Sequence, residues 1–513
     1  MKLTIPTEVL YTTETLEKGG FEAYLVGGCV RDVLMKREPK DWDVTTNATP
    51  EEIQKLFPKT FYENKYGTVG VVNEEIAKEI GSAETSKKEV FADKGGESDL
   101  RLRESLRVIE VTPYRVESEY SDFRHPDEVK FSKNIEDDLH RRDFTVNAIA
   151  YNPSSGVLKD IYKGQEDLKD KVLRTVGLAS DRFGEDALRM LRAVRFSVQL
   201  GFTIASETSE AIIKHAALLE KISQERIRDE FSKIIMSDDP VVGVVMCQKF
   251  GLLSYIVPEL EEGIGVKQNS DHIYEVWEHN LRALGHAGEK KWSLEVRLAA
   301  LFHDIGKPRT RGWSEEKKDF TFYGHDVVGE RMVKKIMERL RYPGETSDKV
   351  LRLVRNHMFF TDIDKITLSA VRRIVRNVGK ENVWELMNVR ACDRIGMGRP
   401  VETPYRLRKY ESMIEEAMRA PVTVGMLKIN GQKIMEVTKL APGPKIGFTL
   451  HALLEEVLDD PSLNTEEYLE KRAGELVKLS DEELKKLGEE GKEKKEEVEE
   501  KELSKIRKKY HVK

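Results

Sequence analysis

The sequence predicts a multidomain α+β protein, with a small N-terminal sheet domain followed by a helical remainder. Short β-branched runs bounded by glycine cluster before residue 115. From about residue 182, Leu, Ile and Val recur at three- and four-residue spacing, with Pro and Gly falling mainly between those segments. At 513 residues the chain is too long for one ordinary domain and long enough for three or four.

Ala23-Tyr24-Leu25-Val26 reads as a strand running into Gly27-Gly28, and Val30 to Leu34 as a helix. Asp41 to Thr45 reads as extended. Gly67 to Val72 and Leu106 to Thr112 read as further strands. The polar stretch at about 73–105 is too charged for a core and reads as an excursion from the sheet. Nearly everything from 182 to 475 reads as helix. The last forty or so residues carry Glu and Lys in blocks, which predicts a solvated helix or frayed tail, the alternative being a basic RNA-contacting end at Lys505, Arg507, Lys508 and Lys509. There is no internal repeat.

Hydrophobic residues at 39% and charged residues at 34% describe a soluble chain with a highly charged surface. No run approaches the roughly 18–20 apolar residues of a membrane span, and the first residues contain no signal-peptide core. The expectation is a cytoplasmic protein with no membrane partner. Cys29, Cys247 and Cys392 are too few and too far apart for a disulfide scaffold or a cysteine-built zinc site. A net charge of −6 speaks weakly against nucleic acid, but Arg182, Arg189, Arg192 and Arg195 fall within fourteen residues and Arg141-Arg142 forms a second cluster. One basic stripe suffices to hold a phosphate backbone.

Two constellations carry chemistry. In the first, Gly27-Gly28 lets backbone approach a polyphosphate, and the helix start that follows offers N–H groups to an anion. Asp41 and Asp43, two apart on an extended segment, project from one face. Paired carboxylates repel without a proton or cation between them, and Mg²⁺ takes carboxylate and phosphate oxygens. Glu110, on the third strand, is the candidate third ligand. In the second, His279, His303-Asp304, His325, His357 and Asp393 follow one another on predicted helices. Imidazoles with carboxylates suit a divalent metal such as Mn²⁺, Ni²⁺ or Co²⁺. His272 and the other histidines lack such a context and read as ordinary residues.

Gly27-Gly28-Cys29-Val30-Arg31-Asp32 followed by Asp41-Trp42-Asp43-Val44-Thr45-Thr46 resembles the signature of the class II tRNA nucleotidyltransferases and bacterial poly(A) polymerases, members of the polymerase-beta-like nucleotidyltransferase superfamily. Asp138 to Ala148, Asp160-Ile161 with Gly164 and Asp167-Leu168, and Arg182 to Arg192 extend the match. The resemblance implies that Asp41 and Asp43 bind catalytic Mg²⁺ and that Glu110 completes the set. It implies nucleotide contacts by Gly27, Gly28, Arg31, Arg142 and Asp143, the last near the ribose. Asp186 and Arg189 would read the base edge of CTP or ATP, with Arg192 beside them. Residues 186, 189, 192 and 195–196 are expected to share a helical face.

The histidine series is similar to the HD superfamily of metal-dependent phosphohydrolases. Leu427 to Gly431 and Pro442 to Gly447 resemble the tail of the same tRNA enzymes, with Lys445 as a tRNA contact.

The implied organisation is a head at 1–170, a helical neck at 171–255, an HD domain at 256–400, a tRNA-binding tail at 401–475 and a charged extension at 476–513, with the helical parts forming an extended body. The implied activity is addition of C, C and A to the 3′ end of tRNA from CTP and ATP, with phosphohydrolase activity on RNA ends as a possible second function. Poly(A) synthesis, and CC-only or A-only addition, are the alternatives. A monomer or homodimer is expected.

Overall fold

The computed structural model describes residues 3–62, 67–73, 106–117, 129–358, 366–419 and 424–512. All of the polar stretch at 73–105 except Asn73 lies outside them. The chain divides into two compact units, Met1–Leu351 and Arg352–Lys513, and the division falls inside the segment expected to form the HD domain.

The first unit opens with a mixed sheet. Its strands are β1 (Ala23–Val26), β2 (Asp43–Thr46), β3 (Thr60–Tyr62), β4 (Val69–Val72), β5 (Val108–Pro113), β8 (Ala150–Tyr151) and β9 (Leu158–Lys159); β6 (Arg115–Glu117) and β7 (Val129–Phe131) pair separately. The order is β3-β4-β5-β2-β1-β8-β9. Only β2 and β5 are parallel neighbours in it, with Asp43 opposite Glu110. Val44, Val69, Ile109 and Val111 fill one core with Val9 and Leu16 of the helix Thr7–Lys18 and Ile53 of the helix Pro50–Leu56. That second helix is started by a Thr49–Glu52 capping box with Pro50 in its first turn.

The extended segment expected from Asp41 begins two residues later. Pro39 offers no N–H to a ladder, and a bend at Lys40–Asp41 delays pairing until Asp43. Trp42, 4% exposed, lies in the core between the two carboxylates.

Helices follow as expected, with two interruptions that the sequence reading missed. Thr203–Ile204 pairs in parallel with Val172–Leu173, and Gly312–Ser314 forms a hairpin with Asp319–Thr321. Strands of two or three residues are too short to show any periodicity. Leu188–Leu200 packs against Gln224–Ile235 and Pro240–Lys249, and Val276–Glu289 packs against Leu294–Phe302. Among the described residues, no helix is long and apolar enough to cross a membrane.

In the second unit the C-terminal residues form a helix, one of the two expected outcomes, and it is docked rather than free. Asp481–Lys509 is one helix, begun by a Ser480–Glu483 capping box, and it docks along Pro444–Asp459. Leu484, Gly488, Gly491 and Ile506 are its buried positions. The two glycines explain how so polar a helix packs. A Cβ on Gly488 would stand 2.8 Å from Phe448, and one on Gly491 would stand 2.3 Å from the His451 carbonyl oxygen. Backbone takes the place of an apolar side chain, so the hydrophobic pattern is thin.

These contacts predict opposite signs for two substitutions. Gly474, in the helix Glu466–Leu476, has open space around it, so Gly474→Ala should stabilise by up to about 1 kcal/mol through helix propensity. Gly491→Ala gains the same propensity but meets backbone, and should destabilise by about 1–3 kcal/mol. Urea unfolding of both variants checks this; a gain in stability for Gly491→Ala would contradict the docked helix.

Candidate functional site

Gly27, between β1 and the helix Gly28–Leu34, adopts φ 81° and ψ −133°, a conformation that favours glycine. A Cβ there would lie 3.0 Å from Arg142 Nη1 and 3.7 Å from Asp43 Oδ2, so the turn brings bare backbone against one cation and one carboxylate. Asp43 and Glu110 are register partners on parallel strands, which lie about 4.8 Å apart, so their side chains share one face. Asp41 is exposed, ahead of the strand. Two hard oxygen donors on adjacent strands fit a divalent ion of the magnesium type. Cys29 is buried beside them and hydrogen-bonds to the Val26 carbonyl; burial and the nearby Asp43 charge push its thiol up to about 12, which makes it inert.

Behind this turn lies a web of guanidinium and carboxylate groups. Asp138, fully buried, accepts from Arg141 Nη2 at 2.6 Å and Arg142 Nη2 at 2.9 Å. Burial would raise its pKa, but the two guanidinium charges hold it below the usual range. Asp143 Oδ2 accepts from Arg192 Nε and Nη2 at 2.9 and 2.7 Å, and its Oδ1 from Asn147 Nδ2 and the Phe144 N–H. Against burial, Arg192 and these hydrogen bonds lower Asp143 to about 2. Arg31 donates to Asn147 Oδ1 at 2.8 Å and pairs with Asp32. Phe196 has the guanidinium carbons of Arg31, Arg192 and Arg195 over its ring at 5.3, 5.2 and 4.4 Å.

Asp186 and Arg189 do not share the helical face expected of them. Asp186 is extended (φ −140°, ψ 102°) after the helix Ala179–Glu185, whereas Arg189 lies in the first turn of Leu188–Leu200. Asp186 accepts from the Leu188 N–H and from Arg226 Nη2 at 2.7 Å. Arg189 is held by Glu185 and by the carbonyls of Arg182 and Arg141. Arg226 is a residue that sequence reasoning missed, because nothing local marks it within an ordinary amphipathic helix.

The second constellation in the first unit is compact and buried. His279 Nε2 stands 2.8 Å from His303 Nε2 and 3.0 Å from Asp304 Oδ2. His325 Nε2 is 3.2 Å from Asp304 Oδ1. His303 follows directly on Leu294–Phe302, and His325 opens His325–Arg339. His303 Nδ1 lies 2.8 Å from the Ala300 carbonyl and His325 Nδ1 2.7 Å from that of Phe322. A carbonyl only accepts, so Nδ1 of each ring carries a proton and Nε2 is the nitrogen that faces inward. Inward-facing ring nitrogens and a carboxylate fit a divalent cation.

Lys307 Nζ lies 2.5 Å from Asp304 Oδ2, donates to Gln268 Oε1 and stands 3.3 Å from His272 Nε2. Burial would raise the Asp304 carboxyl, yet Lys307 and His303 hold it well below its ordinary value. His272, read as ordinary from sequence, belongs to this cluster, with its ring 5.3 Å from that of His279. It sits on a loop, where no periodicity marks it.

The remaining site candidates lie in the second unit. His357 was expected within a helix but directly follows the helix Gly344–Asn356, with Nδ1 bonded to the Val354 carbonyl. Asp393, buried in Val383–Gly396, pairs with Arg390. Lys445 pairs with Asp481 at 2.8 Å.

Comparison with known proteins accords with this architecture. Residues 23–174 match the poly A polymerase head domain, 201–264 the probable RNA and SrmB-binding site of polymerase A, and 276–397 the HD domain. The CCA-adding enzyme of Lactobacillus delbrueckii subsp. bulgaricus is 32% identical over 465 residues, covering 90% of this chain and 95% of its own. That of Leuconostoc mesenteroides is 30% identical over 471 residues, covering 90% and 94%. The crystal structure of the Bacillus stearothermophilus CCA-adding enzyme in complex with CTP superposes with a TM-score of 0.56 at 27% identity, covering 92% of this chain and 98% of that one. Fold and matched domains define a nucleotidyltransferase head joined to an HD domain. The chain belongs to the CCA-adding enzyme family.

The Asp143–Arg192 pair predicts a pH signature. A depressed carboxylate contributes stability above its unfolded value, near 3.9, and loses it as pH falls through about 2. Asp143→Asn should therefore cost about 2 kcal/mol at neutral pH, with the gap to wild type closing between roughly pH 4 and 2. Denaturant unfolding across that range measures it; a gap independent of pH would contradict the assignment.

Proposed function

We propose that this protein adds C, C and A without a template to the 3′ end of tRNA, using CTP and ATP. The observation that carries this reading is the register pairing of Asp43 with Glu110 beside the Gly27 turn and Arg142. Asp41, Asp43 and Glu110 would hold Mg²⁺, which when bound stabilises charge on the transferring phosphate. The terminal tRNA hydroxyl attacks the α-phosphate in line, and pyrophosphate leaves. Gly27 and Gly28 give the polyphosphate room, while Arg31, Arg142 and the Asp143–Arg192 pair line the nucleotide's side of the site. Asp186 can accept from an exocyclic amino group while Arg189 donates to the neighbouring ring acceptor, a pairing that C and A allow and that G and U do not.

For the second cluster we assign His279, His303, Asp304 and His325 as ligands of a divalent metal such as Mn²⁺, Ni²⁺ or Co²⁺. The HD motif adds His357 and Asp393. The chemistry assigned there is phosphohydrolysis at RNA ends. Lys445 is assigned to tRNA contact, from its place in the tail motif.

The purified protein should be given tRNAs ending before CCA, after C and after CC, plus an unstructured RNA, with each NTP and Mg²⁺. The expected outcome is completion to CCA and then arrest, and a loss of at least about a thousandfold in Asp43→Asn. Absence of any addition would sink the reading, and unrestricted A tails on the unstructured RNA would replace it with poly(A) synthesis. For the second site, His303→Ala should lose bound transition metal by elemental analysis, together with RNA-end phosphatase activity, while nucleotide addition persists. Unchanged metal content would refute the ligand set.

A further inference from the structure

We infer that the helix Leu368–Val378 is a docking surface for the phosphate backbone of the RNA acceptor, an inference that rests on the reading of tRNA as that acceptor. Val371, Val375 and Val378 are buried on one side of this helix. Arg372, Arg373 and Arg376 are exposed on the other, and exposed Lys380 follows just beyond the helix end. No Asp or Glu lies in the helix. Among the described residues, none of these four cations forms an ion pair.

That arrangement is unusual for this chain. The C-terminal helix Asp481–Lys509 is as polar, yet it sets Lys485 against Glu489 and Lys486 against Glu490, each one turn apart. Leu368–Val378 instead places Arg372 and Arg373 four and three residues before Arg376, spacings at which like charges destabilise a helix. The repulsion is relieved when an anion with several charges lies across the face. The surrounding sequence has the same bias, with ten Lys and Arg against four Asp and Glu between residues 366 and 409, in a chain of net charge −6. Three of the four exposed cations are arginines, whose planar forks suit phosphate oxygens. Exposed guanidinium groups on a rigid helix would position an RNA without reading its sequence, as an enzyme acting on many tRNAs requires.

The test uses the full chain and a tRNA transcript lacking CCA, with binding measured at several salt concentrations. In the triple variant Arg372→Ala, Arg373→Ala, Arg376→Ala, affinity should fall at least about tenfold near 0.15 M salt, and the slope of log K against log salt should shrink by about 2–3. KM for CTP should stay within about twofold of wild type, because the effect is on the acceptor alone. The triple lysine variant keeps the charge and should retain most of the slope. Wild-type affinity and slope in the alanine variant would overturn the proposal. So would equal losses in both variants accompanied by a lowered melting temperature, which would assign the effect to folding. A wild-type chain that binds no tRNA and adds no nucleotide would remove the acceptor reading itself. Normal wild-type addition, matched by the alanine variant, would remove only the docking surface.

Discussion

The nucleotidyltransferase end of the molecule depends on one buried interaction, the two-pronged pairing of Asp143 with Arg192. Asp143 sits in the head segment between β7 and β8, and Arg192 sits on the helix Leu188–Leu200. Their union ties the sheet that carries Asp43 and Glu110 to the helix that follows Asp186. A buried pair of this kind adds little net stability over apolar packing, because desolvation consumes most of the Coulomb gain; its contribution is to make one geometry far better than its neighbours. The surrounding contacts extend the same constraint. Asp138 holds Arg141 and Arg142, Asn147 bridges Arg31 and Asp143, and Phe196 supports three guanidinium groups. The side chains assigned to the nucleotide's side of the site are thereby held by one another and by neighbouring groups, as preorganised charge stabilisation requires.

The histidine cluster follows the same logic with different chemistry. Backbone carbonyls three residues earlier set the tautomer of His303 and His325, so helix ends decide which nitrogen faces inward. Lys307 then keeps Asp304 ionised in a site where burial alone would protonate it. Both devices are made by the chain's own groups.

Much of this was legible in the sequence where chemistry is local. The β1 strand, the Gly27-Gly28 turn and the helix after it are consecutive, so residue types and spacing sufficed. The strand that carries Glu110 was legible too, because its β-branched run is local. The short strands Thr203–Ile204 and Gly312–Ser314 were not, since two or three residues carry no period. The docking of Asp481–Lys509 was hidden because glycine backbone, rather than an apolar stripe, makes the contact.

The amino-acid order by itself determined which groups are available: carboxylates on strands, a phosphate-tolerant turn, arginines at helical spacing, and imidazoles at helix ends. Only the tertiary structure decided their partners. It set Asp43 opposite Glu110 across a parallel ladder, gave Asp186 to Arg226 and Arg189 to Glu185, and drew His272 into the histidine cluster. The reason is physical. Propensity and periodicity act over a turn or a strand, whereas a charge in a low-dielectric interior is satisfied by whatever partner the packing brings within about 3 Å, however distant in the chain.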